Sequence, residues 1–261
     1  MAQTVADPAL ITLLNRLADA SGAVIRRHFR TPYRVEQKDD ASPVTVADRG
    51  AEAAIRGILE AERPRDGIVG EEYGSHNADA ERVWVIDPID GTKSFITGRP
   101  IFGTLIALLQ DGVPRLGVID QPIIGDRWIG GVGHPTTLNG EAARVRRCAA
   151  LARAVIATTT PTMFRAEDWP RFQRLERESA AAVYGGDCFA YAGLASGWCD
   201  LVVESGLNLY DFAALVPVIE AAGGIMTDWQ GRPLTQGSPG QVVAAGDAAI
   251  HRQAVDILSA S

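Results

Sequence analysis

The chain has 261 residues, 46% of them hydrophobic, and a formal net charge of −7. That is enough apolar material to fill the core of one large domain or two small ones. The acidic balance argues against a nucleic-acid partner, because phosphate backbones demand clustered Lys and Arg. No apolar run approaches the ~20 residues of a membrane span. Met1–Asp7 has no basic region leading into an apolar stretch, so neither a membrane role nor a signal peptide is expected. Cys148, Cys188 and Cys199 lack metal spacing and predict free thiols in a reducing cytoplasm. His28, His76, His134 and His251 are scattered away from the acidic motif described below, which argues against a His-ligated zinc.

Asp7-Pro8 starts the first helix, with a capping acid and then Pro at the first helical position. Leu10, Leu14, Leu17, Ser21, Val24, Ile25 and His28 recur at helical spacing, carrying it to about Arg30. Tyr33–Lys38 reads as a short strand and Asp39–Pro43 as a loop. A second helix spans Val46–Glu62, with Ala47, Ala51, Ala54, Ile55, Ile58 and Leu59 inward. Ile68-Val69 is a brief strand, Ser75–Glu81 a polar loop, and Val83–Ile86 a buried strand. Phe102–Leu109, Arg115–Asp120 and Asp126–Gly131 are strands, the first two joined by the hairpin signal Asp111-Gly112. This half is two helices on a mostly antiparallel sheet.

The rhythm changes near Cys148–Arg153, which divides the chain into expected sub-domains of about 1–147 and 148–261. Ala154–Thr158, Ala182–Tyr184, Leu201–Glu204, Ile225–Thr227 and Val242–Ala245 read as strands. Glu167–Glu178, Cys188–Ser196, Tyr210–Ala222 and Ala248–Leu258 read as helices. The alternation predicts a layered, mixed-sheet α/β half. Pro217 should kink its helix by removing a hydrogen bond.

Four acidic features stand beside turns. Glu71-Glu72 follows Gly70, Asp48 lies near the start of the second helix, and Asp211 starts a later one. Taken singly, an acid at a helix start is a cap or a dipole partner, and Glu71-Glu72 is a solvated turn. Asp87-Pro88-Ile89-Asp90 differs. Two acids around a Pro, directly after a buried strand, bring like charges together at a cost that a cation would offset. Oxygen ligands suit Mg²⁺, and the backbone N–H groups of the following Gly91-Thr92 turn suit an oxyanion.

Trp84–Phe95 resembles the signature W-x-[IV]-D-P-[IL]-D-G-T-x-x-F of the inositol monophosphatase superfamily. Gly70-Glu71-Glu72 is similar to its G-E-E element. Tyr210–Ala214 and Glu220–Gly224 are similar to its W-D-x-A-A and E-A-G-G elements, with Tyr210 in place of the usual Trp. Ser94 stands where many members have Asn. The resemblance covers nearly the whole chain and implies a layered αβαβα sandwich, commonly dimeric, that hydrolyses phosphate monoesters with two or three Mg²⁺ ions. It implies metal ligation by Glu71, Asp87, the Ile89 carbonyl, Asp90 and Asp211. It further implies that Asp48 and Thr92 activate the attacking water, with Glu71 and Glu72 close by, and that Asp90, Gly91 and Thr92 contact the phosphate.

The stretches Asp90–Pro100, Gly117–Pro122 with Arg127-Trp128, Tyr184–Tyr191, Asp200–Glu204 and Asn208–Phe212 resemble the bacterial histidinol-phosphate phosphatase branch. Histidinol carries an ammonium, so its pocket wants negative charge and acceptors. Asp187, Glu204 and Asn208 are the candidates. Asp187 reads alternatively as an N-cap, Glu204 as half of a strand-end salt bridge, and Arg99 and Lys93 as phosphate contacts or solvated cations. A broader inositol or sugar monophosphatase, and a non-catalytic scaffold of the same fold, are the competing functions.

Overall fold

The computed structural model describes residues 7–32, 36–37 and 43–260. Helix α1 (Pro8–His28) begins where Asp7 Oδ1 accepts the Ala9 N–H at 2.9 Å, and buries Leu13, Leu14, Leu17 and Ile25. A two-residue ladder joins β1 (Glu36–Gln37) to β2 (Pro43–Val44). The rest of the strand expected at Tyr33–Lys38, and the Asp39–Pro43 loop apart from Pro43, lie outside the described residues. Helix α2 (Val46–Glu62) is capped reciprocally. Thr45 Oγ1 accepts the Ala47 N–H at 3.1 Å, and Asp48 accepts the Thr45 N–H at 2.9 Å.

An eight-stranded sheet follows: β3 (Gly67–Gly70), β4 (Gly74–His76), β5 (Arg82–Asp90), β6 (Gly103–Gln110), β7 (Val113–Gln121), β8 (Asp126–Gly131), β9 (His134–Leu138) and β10 (Glu141–Ala142). A short helix, α3 (Thr92–Ile96), interrupts it after β5. The strand order is β10-β9-β8-β7-β6-β5-β3-β4, antiparallel except for the β3–β5 pair. β4 runs into the stretch Ser75–Glu81 expected to be polar loop. It is an exposed three-residue edge strand with no apolar alternation to announce it.

A five-stranded sheet holds β11 (Val155–Thr158), β12 (Ala181–Tyr184), β13 (Leu201–Glu204), β14 (Ile225–Thr227) and β15 (Val242–Ala245) in the order β12-β11-β13-β15-β14. It is mixed, parallel around β11 and antiparallel around β15. Between its strands come α4 (Trp169–Glu178), α5 (Cys188–Ala195), α6 (Leu209–Phe212) and α7 (Leu215–Ala221), with α8 (Ala248–Leu258) after β15.

The layers are αβαβα. Period-2 alternation in β5 sends Trp84 and Ile86 under α1 and α2, and Val83 and Val85 toward the second sheet. Helices α5, α6 and α7 fill the middle layer; α5 and α7 touch both sheets, and α6 lies against β5 and β6. Helices α4 and α8 cover the far face of the second sheet. The helix expected over Tyr210–Ala222 is two helices, broken at Ala213-Ala214. The break moves Pro217 to the third position of α7, where a backbone N–H has no intrahelical partner to lose. Pro217 cannot bond the Ala213 carbonyl four residues back, so the interruption falls where the proline predicts it, with Ala213 and Ala214 both still right-handed. Among the described residues no helix is long and apolar enough to cross a membrane, and all three thiols are free.

Candidate active site

The site begins with an irregularity in β5. Asp87 pairs with Leu105 and Asp90 with Gly103, so three steps along β5 match two along β6. The extra residue is a bulge, the device by which a strand re-aims its side chains. Pro88 sits inside it, where no ladder donor is required. The Pro88 carbonyl instead accepts Thr104 Oγ1 at 2.8 Å, and Thr104 Oγ1 lies 2.9 Å from Ser21 Oγ on α1. Asp87 Oδ1 accepts the Ile89 N–H at 3.0 Å, which closes the turn. Both aspartates thus leave the sheet on the same side.

Asp211 arrives from the middle layer. It occupies the third position of α6, and its Oδ2 accepts the Asn208 N–H at 2.6 Å. One carboxylate oxygen each from Asp87, Asp90 and Asp211 lie within 4.8 Å of one another. Glu71 borders this trio, close enough for its carboxylate to raise that of Asp87. Its backbone N–H is fixed to the Ile86 carbonyl at 3.1 Å. The Ile89 carbonyl accepts Thr92 Oγ1 at 3.2 Å, and the same hydroxyl reaches toward Asp48 Oδ1 at 3.5 Å. Asp48 is fully buried, and its Oδ2 also accepts Thr45 Oγ1 at 2.5 Å. The structure therefore brings Asp48, Glu71, Asp87, Ile89, Asp90, Thr92 and Asp211 to one place.

This cluster is electrostatically uncomfortable on its own. Burial pushes Asp87 well above the usual carboxylate range, and the charges of Glu71, Asp90 and Asp211 push it further. Burial and then the charges of Asp187 and Asp211 do the same to Asp90. Asp211 is pushed up to about 7, first by burial, against the restraining Asn208 hydrogen bond. Asp48 is raised chiefly by burial. Converging carboxylates, all hard oxygen donors, fit a hard cation that would relieve both the desolvation and the like-charge penalty.

The downstream candidates lie against the same turn. Asp187 occupies the N-cap position of α5 but makes no side-chain cap. Its backbone is left-handed (φ 45°), and its Oδ2 accepts Ser94 Oγ at 2.8 Å. A Cβ on Gly91 would meet the Asp187 carboxyl carbon at 2.8 Å, so only glycine lets the two approach. Burial raises Asp187, while Ser94, Arg99 and Lys93 restrain it. Lys93 and Arg99 thus face Asp187 electrostatically. The next N–H, that of Cys188, donates to Asp90 Oδ2 at 2.5 Å.

Glu204 makes no strand-end salt bridge among the described residues. It is buried and accepts the Thr159 N–H at 3.0 Å and Tyr191 Oη at 2.9 Å. Burial, against these bonds, pushes it up to about 7. Asn208 is exposed at the head of α6. Sequence inspection missed Ser94 as the Asp187 partner, Thr159 and Tyr191 as Glu204 partners, and Glu52. The only signal for Glu52 was its place four residues after Asp48, between the inward Ala51 and Ile55.

The Inositol monophosphatase family model matches residues 8–259. The chain belongs to the inositol monophosphatase family. Within that family it is 53% identical over 253 residues to the chloroplast bifunctional phosphatase IMPL2 of Arabidopsis thaliana, covering 94% of this chain and 73% of that one. It is 34% identical over 251 residues to a histidinol-phosphatase of Mycobacterium tuberculosis, covering 94% and 95% of the two chains. Its fold matches an inositol monophosphatase from Zymomonas mobilis with a TM-score of 0.90 at 52% identity, covering 98% and 99%. As an inositol monophosphatase family member the chain is a phosphatase acting on small phosphate substrates, and the family is generally metal-dependent, in keeping with the acidic cluster.

Proposed function

We propose that this phosphatase hydrolyses L-histidinol phosphate to L-histidinol and phosphate, as a step of histidine biosynthesis in the cytoplasm. Glu71, Asp87, the Ile89 carbonyl, Asp90 and Asp211 would hold two or three Mg²⁺ ions. When bound, the ions offset the carboxylate repulsion, acidify a water and take up charge on the leaving oxygen. Asp48 and Thr92 orient that water, Asp48 accepting its proton through the carboxylate oxygen that faces Thr92 Oγ1. Glu71, beside Asp87, assists from the other flank. The backbone N–H groups of Gly91 and Thr92 hold phosphate oxygens, and Asp90 orients the ester beside them. Asp187, Glu204 and Asn208 receive the cationic leaving group. Sub-domains of about 1–147 and 148–261 meet at this site, and the exposed Val183, Tyr184 and Trp198 support assembly as a homodimer.

The observation that carries the substrate is the Asp187 carboxylate, held by Ser94 within van der Waals distance of the phosphate-side Gly91. An acid there favours an ammonium-bearing leaving group over a neutral polyol. The similarity to proteins named histidinol-phosphatase points the same way. The runner-up, an inositol-1-phosphate or sugar monophosphatase, draws support from the similarity to the Zymomonas protein.

Phosphate release from L-histidinol phosphate, inositol 1-phosphate and fructose 1,6-bisphosphate, each with and without Mg²⁺, tests the proposal. L-Histidinol phosphate should give the highest kcat/KM, and Asp187→Ala should remove most of that advantage while sparing the neutral esters. Equal or better turnover of inositol 1-phosphate refutes the histidinol assignment. No Mg²⁺-dependent release from any ester favours a scaffold.

A further inference from the structure

Glu52 lies on the inner face of α2, one turn after Asp48, and is fully buried. Its Oε2 accepts the Glu72 N–H at 2.7 Å and its Oε1 accepts the Tyr73 N–H at 3.2 Å. Arg56, one turn further along α2, donates Nε to Glu52 Oε1 at 2.7 Å and also binds the Gly74 carbonyl. The Arg56 guanidinium lies 6.0 Å from the centre of the Tyr73 ring. Helix α2 therefore grips residues 72–74 through two N–H groups, one carbonyl and one ring. On the other flank the Glu71 N–H is tied to β5 through Ile86. A Cβ at Gly70 would fall on the Glu52 carboxylate. The Gly70-Glu71-Glu72 element is shaped around that buried acid.

An i,i+4 Glu–Arg pair on an exposed helix steadies that helix slightly and does nothing else. The Glu52 carboxylate is placed differently. It is out of water, and its two oxygens are spent on consecutive backbone N–H groups directly after Glu71. Charge-assisted bonds of this kind are short and directional. They fix the peptide that carries the Glu71 side chain.

We infer that Glu52 is a positioning residue that sets the Glu71 carboxylate for cation binding and registers it to Asp48 through the shared face of α2. The inference rests on the metal-dependent reading of the site given above. Outer carboxylates that orient a ligand commonly change metal affinity by about 10–100-fold when altered. Neutralising Glu52 should act on the cation before it acts on the substrate.

Mg²⁺ titration calorimetry on wild type and Glu52→Gln reads this directly, with steady-state turnover as a second readout. Gln keeps the shape but leaves one N–H facing an amide. The variant should bind Mg²⁺ about 10-fold or more weakly, and turnover should recover to within about threefold of wild type at saturating Mg²⁺. A folded variant with wild-type Mg²⁺ affinity, or with a turnover loss that Mg²⁺ does not relieve, overturns the inference. Should Glu52→Gln not fold, Glu52→Asp should show an intermediate loss of affinity, and unchanged affinity overturns the inference again. Failure of the wild type itself to bind Mg²⁺ would instead refute the metal-dependent reading.

Discussion

Replacing Glu204 by Gln removes a carboxyl group that is 3% exposed and holds the Thr159 N–H and the Tyr191 hydroxyl. In the metal-free protein burial raises it from 4.5 to about 7. A gap of roughly 2.5 pH units is on the order of 3 kcal/mol at ~1.36 kcal/mol per unit. Because the folded value is the higher one, the folded state binds the proton more tightly. Its contribution is fully present below the unfolded value and is lost as pH climbs through the folded one. Metal-free wild type should therefore lose that stability between about pH 4.5 and about pH 8. Glu204→Gln has no proton to lose there. Its melting temperature should fall less over the same range, by roughly 6–12 °C at ~2–4 °C per kcal/mol for a chain of this size. The assay is thermal unfolding of both proteins in chelator across that pH range. The charge of Glu204 also raises Asp90 and Asp211, so the difference reads Glu204 together with its coupling to those two groups. Parallel pH profiles would refute the claim that Glu204 is a strained buried acid.

Two further outcomes follow from the same geometry. Asp87→Asn removes one of three clustered charges, so the chelated variant should melt above chelated wild type near neutral pH, and Mg²⁺ should no longer raise its melting temperature; a rise equal to wild type would remove Asp87 from the cation site. Gly117→Ala places a methyl onto the Ala214 backbone, where β7 meets the middle helices, and should destabilise by on the order of 1–3 kcal/mol in denaturant melts; a neutral result would mean the two layers are not in backbone contact.

The legible parts of the sequence were those where a period or an unusual residue pair left a mark. The run Val83–Ile86 announced a buried strand, and the structure divides it between two cores. The acids at Asp87 and Asp90 announced a turn. The bulge that aims them was invisible, because it depends on the register with Leu105 and Gly103 on another strand. The strands β4, β9 and β10 were missed: they are short, mostly polar segments at the margins of the sheet, with no alternation to read. The break between α6 and α7 falls in Ala213-Ala214, which itself favours helix; its sign in the sequence is Pro217, which cannot donate to the Ala213 carbonyl four residues back. Glu52 was missed because a glutamate on an amphipathic helix reads as solvated until its backbone partners, some twenty residues ahead, are in place.

The site draws its parts from different layers. Asp87 and Asp90 hang from the large sheet, Asp211 from the middle helices, and Asp187 and Glu204 from the second sheet and the helix that follows β12. The residues proposed to break the ester come from both halves of the chain, Asp211 included, whereas those proposed to recognise what leaves all lie after β11. A descendant of this chain could exchange its leaving-group pocket by altering Asp187, Glu204 and Asn208, with the carboxylates of the large sheet inherited unchanged. Substrate range is, in that sense, an exchangeable fitting on a fixed tool.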